Sequence, residues 1–491
     1  MPDSPGELAF SARGIRNTMQ FSSRPTRRTL LKAAGATALA TPAVLAAAAP
    51  QAAAVGQTDA AEERSYDVIV IGAGFAGITA ARELCAQGKR VLVLEARDRV
   101  GGRTWTGSFA GHLVERGGTW VEPTQPHLGP ELKRYSLALE EDLPVDRVLL
   151  PTPKGPGQFT PEEGFGRIGA VMDRMFEGSR EYFEKPFTPL YRADLLQSLD
   201  RLTLRDRLTQ LSLTAEEELA INGQTAIYSG GSSKDGAFTM FAHWWALAGW
   251  NNTGWNDTQR WRIAKGTGAL LGAMIAEAAP TIRLNTPVTT VTDTGTRVYV
   301  TVKSGVTYSA SKAVVAVPAN VWPSIKFTPT LPAALTAAGS QGVAVKNAVK
   351  LWIHARKGAG RFYGQGAEGG TPIPMVIPFK ETSQGMLYVA FSTDPTLDPQ
   401  SIPQVKAAVQ KVGVDLDILG LYTHDWGRDP YARGGWAFRK PGQLTTLYPD
   451  VTNPKGLLAF ASGDIANGWS GFIDGAIESG LRAARQTLGA T

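Results

Sequence analysis

The chain has 491 residues, 43 % hydrophobic and 19 % charged, which excludes a mini-protein or a mainly disordered chain and leaves room for two or three domains. A single cysteine, Cys85, excludes an intrachain disulfide, a thiolate zinc site and a Cys-ligated iron–sulfur cluster. The net charge of +6 is uneven, because residues 1–54 carry six basic side chains against Asp3 and Glu7; the near-neutral remainder offers no phosphate-tracking surface for nucleic acid.

In chain order, Thr26-Arg27-Arg28-Thr29-Leu30-Leu31-Lys32 precedes an Ala-rich run to Ala49, and Ala52-Ala53-Ala54 supplies small residues suited to cleavage. Residues 1–54 resemble a twin-arginine export signal. A membrane anchor needs about 20 strongly apolar residues. This stretch is mostly Ala and is interrupted by Pro42, so no stable span is expected after processing, and the mature chain is expected in the periplasm or outside the cell.

Tyr66–Ile71 reads as a buried parallel strand that runs into Gly72-Ala73-Gly74-Phe75-Ala76-Gly77, a helix from Ile78 to Gln87, and a second strand, Arg90–Leu94, delivering Glu95. This is a dinucleotide fingerprint in its proper setting. Gly72 permits a tight turn, Gly74 lets a pyrophosphate approach the backbone, Gly77 lets helix and strand pack, and Glu95 can accept ribose hydroxyls while repelling a 2′-phosphate. The chain continues through Glu95-Ala96-Arg97, then Gly101-Gly102-Arg103, and repeats the close-approach device in Gly117-Gly118-Thr119-Trp120.

That sequence of motifs resembles the flavin-containing amine oxidase family over about residues 65–489, and within it the bacterial branch of nicotine oxidoreductases and pseudooxynicotine amine oxidases. The resemblance implies an α/β fold: a Rossmann-type FAD-binding domain, discontinuous in sequence (65–125, 258–320 and 440–491), with an inserted α+β substrate-binding domain (126–257 and 321–439). It assigns Arg97, Gly101, Gly102, Arg103 and Gly118 to the FAD pyrophosphate and flavin, with Thr119 and Trp120 beside them. Family members with covalent flavin use a C-terminal cysteine that this chain lacks, so FAD is expected to be non-covalent.

The segment 126–257 is helix-rich by periodicity. Phe241, Trp244, Trp245 and Ala248 form a stripe that suits a buried helix as well as a pocket, whereas Trp250 and Trp255 lie among Gly and Asn in an expected loop and are candidates for the substrate cavity. Thr281–Val288, a hairpin and Ala313–Pro318 look like the family's adenine-side strands, with Val288 at the backbone contact. In Lys346–Ile353 a strand turns Lys350 away from Leu351, and the resemblance matches Lys350 to a lysine that holds a water at flavin N5. Trp436 and Asn467 are expected to flank the amine over the flavin, in place of a double-aromatic pair. Finally, Gly456–Ala461 reads as a strand leading to Gly463-Asp464 and a glycine-spaced turn through Gly471 and Ile473 to a helix, Ala476–Leu488; the resemblance implies Asp464 at the FAD linker and the Ile473 backbone with that helix facing the flavin.

The five histidines have no metal-ligand spacing, and no metal is expected. The implied activity is hydride transfer from the amine α-carbon to flavin N5, giving an imine that hydrolyses to a carbonyl compound, with O2 or a redox protein as acceptor. An L-amino-acid oxidase of the same superfamily and a non-catalytic flavin-bound interaction protein remain as alternatives. A homodimer is left open.

Overall fold

The computed structural model describes residues 64–489, so the expected export signal lies outside the described residues. An eight-stranded sheet is built on Ser65–Ile71, flanked in parallel by Val91–Leu94 and Thr307–Val315. Beyond these, Thr281–Arg283 adds in parallel at one side, while the antiparallel hairpin Val288–Asp293 and Val298–Val302, then Lys326–Thr328, extend the other. Leu458–Phe460 returns from near the end of the chain to pair in parallel with Thr307–Val315. Because Lys326–Thr328 joins this sheet, the expected boundary at residue 320 falls short of it.

The first strand is apolar on both faces because both are covered. Val68 and Val70 pack with Ile78, Leu84, Leu270, Met274 and Ile477 from the helices Phe75–Ala86, Thr267–Ala278 and Ile473–Leu488. Ile69 and Ile71 pack with the hairpin through Val291, Val298 and Val300, and with Trp322 and Leu335. The first and last helices of this layer touch through a glycine, since a Cβ on Gly480 would stand 2.4 Å from the carbonyl oxygen of Ala76.

A second, seven-stranded sheet has Val349–Arg356 between Ile418–Asp425 and Gly385–Ser392, and continues through Met375–Glu381, Phe362–Gln365, Arg147–Thr152 and Gly155–Phe159. Against it lies a helical layer whose longer members start on capping boxes, Thr160 with Glu163 for Pro161–Met175 and Thr214 with Glu217 for Ala215–Ser229. The helix Phe238–Leu247 is almost wholly buried and mostly apolar, with only Thr239 and His243 polar, the state expected of a helix enclosed by its neighbours. Both sheets belong to one compact unit.

Candidate active site

A single cavity of about 520 Å³ runs from the fingerprint to the helical layer. Its nucleotide end is made of backbone. Gly72 turns at φ +106°, Gly74 faces Gly102 with 3.7 Å between a would-be Cβ and the Gly102 Cα, and Gly102 itself sits at φ +58°. The helix Phe75–Ala86 begins at Gly74 with no side-chain cap and no acid in its first turn, leaving its N–H groups to a ligand. The helix Ile473–Leu488 also begins uncapped, after Phe472, and lends Phe472, Ile473 and Ala476 to the lining. Two helix N-termini therefore border one cavity; that of Phe75–Ala86, with no acid in its first turn, suits an anionic group, whereas the last helix carries Asp474 there.

Glu95 is buried at the end of the second strand, its Oε2 accepting from the Ala73 amide at 2.8 Å and its Oε1 from the Arg97 amide at 2.9 Å. Arg97 is tied to Asp429 at 2.6 Å, and that partner together with His424 holds the Asp429 carboxyl well below the usual range against the opposing effect of burial. Arg99 donates to Val100 O, Thr104 O and Gly102 O and so braces the paired-glycine turn, a role that sequence reading missed. Phe75, Ala76, Ala96, Gly101, Arg103, Gly118, Thr119, Trp120, Val288, Gly463 and Gly471 also line the cavity.

Two members of the expected cofactor set stand behind the lining. Gly77 serves packing, since a Cβ there would lie 2.0 Å from Gly72 O. Asp464 is wholly buried and fully engaged: Oδ1 accepts from Arg103 at 2.6 Å and Oδ2 from the Ala319 amide at 3.0 Å. It positions Arg103 instead of facing the cavity.

At the opposite end the lining is aromatic: Trp120, Tyr228, Trp244, Trp255, Phe391, Trp436 and Phe472, with Ile227, Met375, Thr258 and Gln259. Trp436 is held by its Nε1 donating to Tyr228 O at 2.9 Å, and its ring meets Phe391 edge-on at 6.1 Å. Trp244 donates to Ser470 O at 2.8 Å and meets Phe472 edge-on at 5.5 Å. Gln259 donates to the Tyr228 hydroxyl at 3.0 Å.

Lys350 reaches the floor of this chamber from its strand, paired across from Phe391. Its Nζ donates to Gly117 O at 2.8 Å and to Thr119 Oγ1, among the rings of Trp120, Trp352 and Phe391 at 5.3, 5.3 and 5.6 Å. Burial pushes its pKa down to about 7, opposed by the carboxylates of Glu115 and Asp142. Both acids escaped sequence reading. Glu115 is buried, accepts from Thr106 at 2.6 Å and the Thr267 amide at 2.7 Å, and is itself pushed up by desolvation. Asp142, likewise pushed up by burial, accepts from Trp120 Nε1 at 2.6 Å and from Arg262.

Two expected pocket residues do not belong to the chamber. Asn467 lies outside the lining, where its backbone amide and that of Gly468 both donate to Glu478 at 2.8 Å, while the aromatic Phe472 lines the cavity. Trp250 adopts φ +57° after Gly249 and packs beneath Arg180 at 4.8 Å, outside the lining. Trp255 does line the cavity, but from a short helix, Asn252–Asp257, capped by Asn251, where a loop was expected.

The family model for flavin containing amine oxidoreductase matches residues 75–488. This chain belongs to that family. Among curated relatives it is 36 % identical over 428 residues to a pseudooxynicotine dehydrogenase from Pseudomonas sp., covering 86 % of each chain. It is 34 % identical over 427 residues to a nicotine dehydrogenase from Pseudomonas putida, covering 86 % of this chain and 88 % of the relative. In fold it resembles a putrescine oxidase structure with a TM-score of 0.73 at 24 % identity, covering 87 % of this chain and 99 % of the other.

Family membership makes FAD the cofactor, and the nucleotide end fits it. The Gly74–Gly102 approach leaves space that side chains would fill, the uncapped helix N-terminus at Phe75 could hold the pyrophosphate, Glu95 the ribose, and the start of the last helix the flavin ring. In this amine oxidoreductase Glu95 is the only acid in the lining among the described residues, which bring no other carboxylate to the aromatic chamber.

Proposed function

We propose that this chain is an exported amine oxidoreductase that binds an uncharged amine carried on a compact aromatic or heteroaromatic body. The observation that supports it is the chamber itself, ringed by Tyr228, Trp244, Trp255, Trp436 and Phe472 and without a carboxylate among the described residues. An ammonium entering such a chamber would lose its hydration with no counter-charge, so the neutral amine is selected. The substrates named for the two curated relatives, nicotine and pseudooxynicotine, belong to the same chemical class.

Held non-covalently by the glycine walls and Glu95, FAD would supply the hydride acceptor for the carbon beside the amine nitrogen, the oxidised product being an imine that hydrolyses to a carbonyl compound. The chain supplies position. Trp436 and Phe472 wall the reacting end, and Trp120, Trp244 and Trp255 exclude water around it. Lys350, lining the cavity and held by its hydrogen bonds to Gly117 O and Thr119 Oγ1, would hold a water beside the flavin, with a lone pair free for it once pH exceeds its value of about 7.

An L-amino-acid oxidase would need an arginine to clamp the substrate carboxylate. Of the arginines in the lining, Arg97 and Arg103 are paired at the nucleotide end and Arg433 is exposed, which counts against that reading. Electrons leave to O2, forming H2O2, or to a redox carrier; the dehydrogenase names of both curated relatives favour the carrier.

The test is an anaerobic titration of the purified yellow protein with a panel of neutral-form aromatic amines, aliphatic amines and amino acids. Aromatic amines should bleach the flavin, and air or a one-electron acceptor should restore it. A flavin that no amine bleaches would leave the chain a binding module. Replacing Arg27 and Arg28 by Lys should retain the FAD-loaded protein in the cytoplasm, and undiminished export would refute the twin-arginine route.

A further inference from the structure

The aromatic chamber holds a polar pair that the oxidation itself does not use. Tyr228 stands near the end of the helix Ala215–Ser229, Gln259 just after the helix Asn252–Asp257, and both residues line the cavity. Gln259 Nε2 donates to the Tyr228 hydroxyl oxygen at 3.0 Å, and among the described residues nothing accepts the hydroxyl hydrogen in return. Burial pushes the phenol up to about 12, against the opposing effect of the Gln259 hydrogen bond, so the hydrogen stays in place at neutral pH. Turning the amide over would spend the hydroxyl hydrogen on Oε1 and free both Nε2 hydrogens instead. In either arrangement the pair retains a donor.

Neighbouring polar groups are already engaged. Trp120, Trp244 and Trp436 give their indole N–H groups to Asp142, Ser470 O and Tyr228 O, and Thr258 gives its hydroxyl hydrogen to Trp255 O. The phenol is also held in place, since its ring meets Phe241, Trp244 and Trp255 edge-on at 5.3, 6.0 and 5.9 Å. Because the Trp436 indole donates to the Tyr228 carbonyl, the ring that walls the reacting end and the phenol belong to one frame. When a ligand fills the chamber and drives out water, a donor fixed in this way costs free energy unless the ligand accepts its hydrogen.

We propose, on the amine-oxidation reading above, that the Tyr228–Gln259 pair donates a hydrogen bond to a ring nitrogen of the pyridine type on the aromatic body of the substrate. Tyr228 then sets the preference among aromatic amines. The chemistry of the walls selects this acceptor. A ring N–H would meet a donor with a donor. A charged ring would enter a chamber to which the described residues bring no carboxylate. A carbonyl would add an atom beyond the ring, whereas a pyridine nitrogen replaces a C–H and keeps its lone pair in the ring plane, so a flat ring among the indoles still reaches the donor.

The test uses one cyclic secondary amine carrying a phenyl, 2-pyridyl, 3-pyridyl or 4-pyridyl ring. Anaerobic flavin reduction in the FAD-loaded enzyme should favour one pyridyl isomer over the phenyl compound by about tenfold in rate over dissociation constant, the effect of one neutral hydrogen bond. Y228F and Q259M should each bring that ratio close to one. Equal reduction by all four rings in the parent overturns the proposal, and so does a pyridyl preference undiminished in both variants. Binding of the same compounds, followed by perturbation of the flavin absorbance, keeps this separate from the reading on which it rests. If no amine bleaches the flavin, the oxidoreductase reading fails, and the pyridyl-to-phenyl ratio of dissociation constants still decides whether the pair recognises a ring nitrogen. If neither variant folds, the selectivity of the parent decides alone.

Discussion

The two ends of the cavity are built in opposite ways. At the nucleotide end the walls are backbone, brought close by glycines and helix N-termini from short, contiguous stretches of sequence. At the aromatic end they are side chains, contributed by Trp120, Tyr228, Trp255, Lys350, Phe391, Trp436 and Phe472 from widely separated segments. A backbone wall is sensitive to a single added carbon. A side-chain wall can be altered ring by ring, which lets one cofactor site serve many amines.

The largest effects should come from the glycines, and two of them separate binding from folding. Gly77→Ala places a Cβ 2.0 Å from Gly72 O, against backbone that cannot move, and should yield little folded protein by circular dichroism. At Gly74 a Cβ would have ordinary contact, 3.7 Å from the Gly102 Cα. Gly74→Val should therefore fold and yet be colourless, its branched side chain filling the space of the pyrophosphate. A yellow Gly74→Val protein would show that the backbone wall is not where the cofactor lies.

Next in size is the aromatic wall. Trp436→Ala should keep its FAD and slow anaerobic flavin reduction by about a hundredfold, the cost of misplacing the reacting carbon by about 1 Å. The lost hydrogen bond to Tyr228 O should cost about 1 kcal/mol of stability. Global unfolding of this variant would mean that Trp436 is a core residue that happens to border the chamber.

Lys350 sharpens the comparison through pH. Its folded-state pKa of about 7 lies below the ordinary 10.5, so between those values the unfolded chain binds a proton that the folded chain does not. Stability should rise with pH across that window, relative to Lys350→Met, and be parallel for the two proteins below it. Lys350→Met should likewise lose the step near pH 7 in flavin reduction by amine. Identical pH profiles in the two proteins would place the lysine outside the chemistry. The smallest effect is expected at Asn467, where Ala substitution should leave reduction rates unchanged because its contact with Glu478 is through backbone.

What could be read from the sequence follows the same division. The fingerprint, Glu95 and the paired glycines were legible because each acts on neighbours a few residues away, whereas Lys350 was singled out by the family resemblance, strand alternation giving only its face. Phe472 was missed in favour of Asn467 because the intervening turn folds back on Glu478, so spacing along the chain gives no distance in space; an aromatic residue directly after Ser470-Gly471, at the start of a helix, was the available signal. Trp250 was misplaced because the chain reverses through Gly249 at φ +83°. Glu115 and Asp142 face Lys350 only through tertiary packing, and no local pattern marks them.

The meeting of the first and last helices at Gly480 and Ala76 has a consequence for biogenesis. The phosphate-binding loop leaves the ribosome early, but its neighbours in space, the strand Leu458–Phe460 and the helix Ile473–Leu488, are synthesised last. On this arrangement flavin capture should wait for a finished polypeptide, and a prematurely terminated chain should stay colourless. Colour becomes a certificate of completeness, available to any machinery that must tell whole molecules from fragments before sending them on.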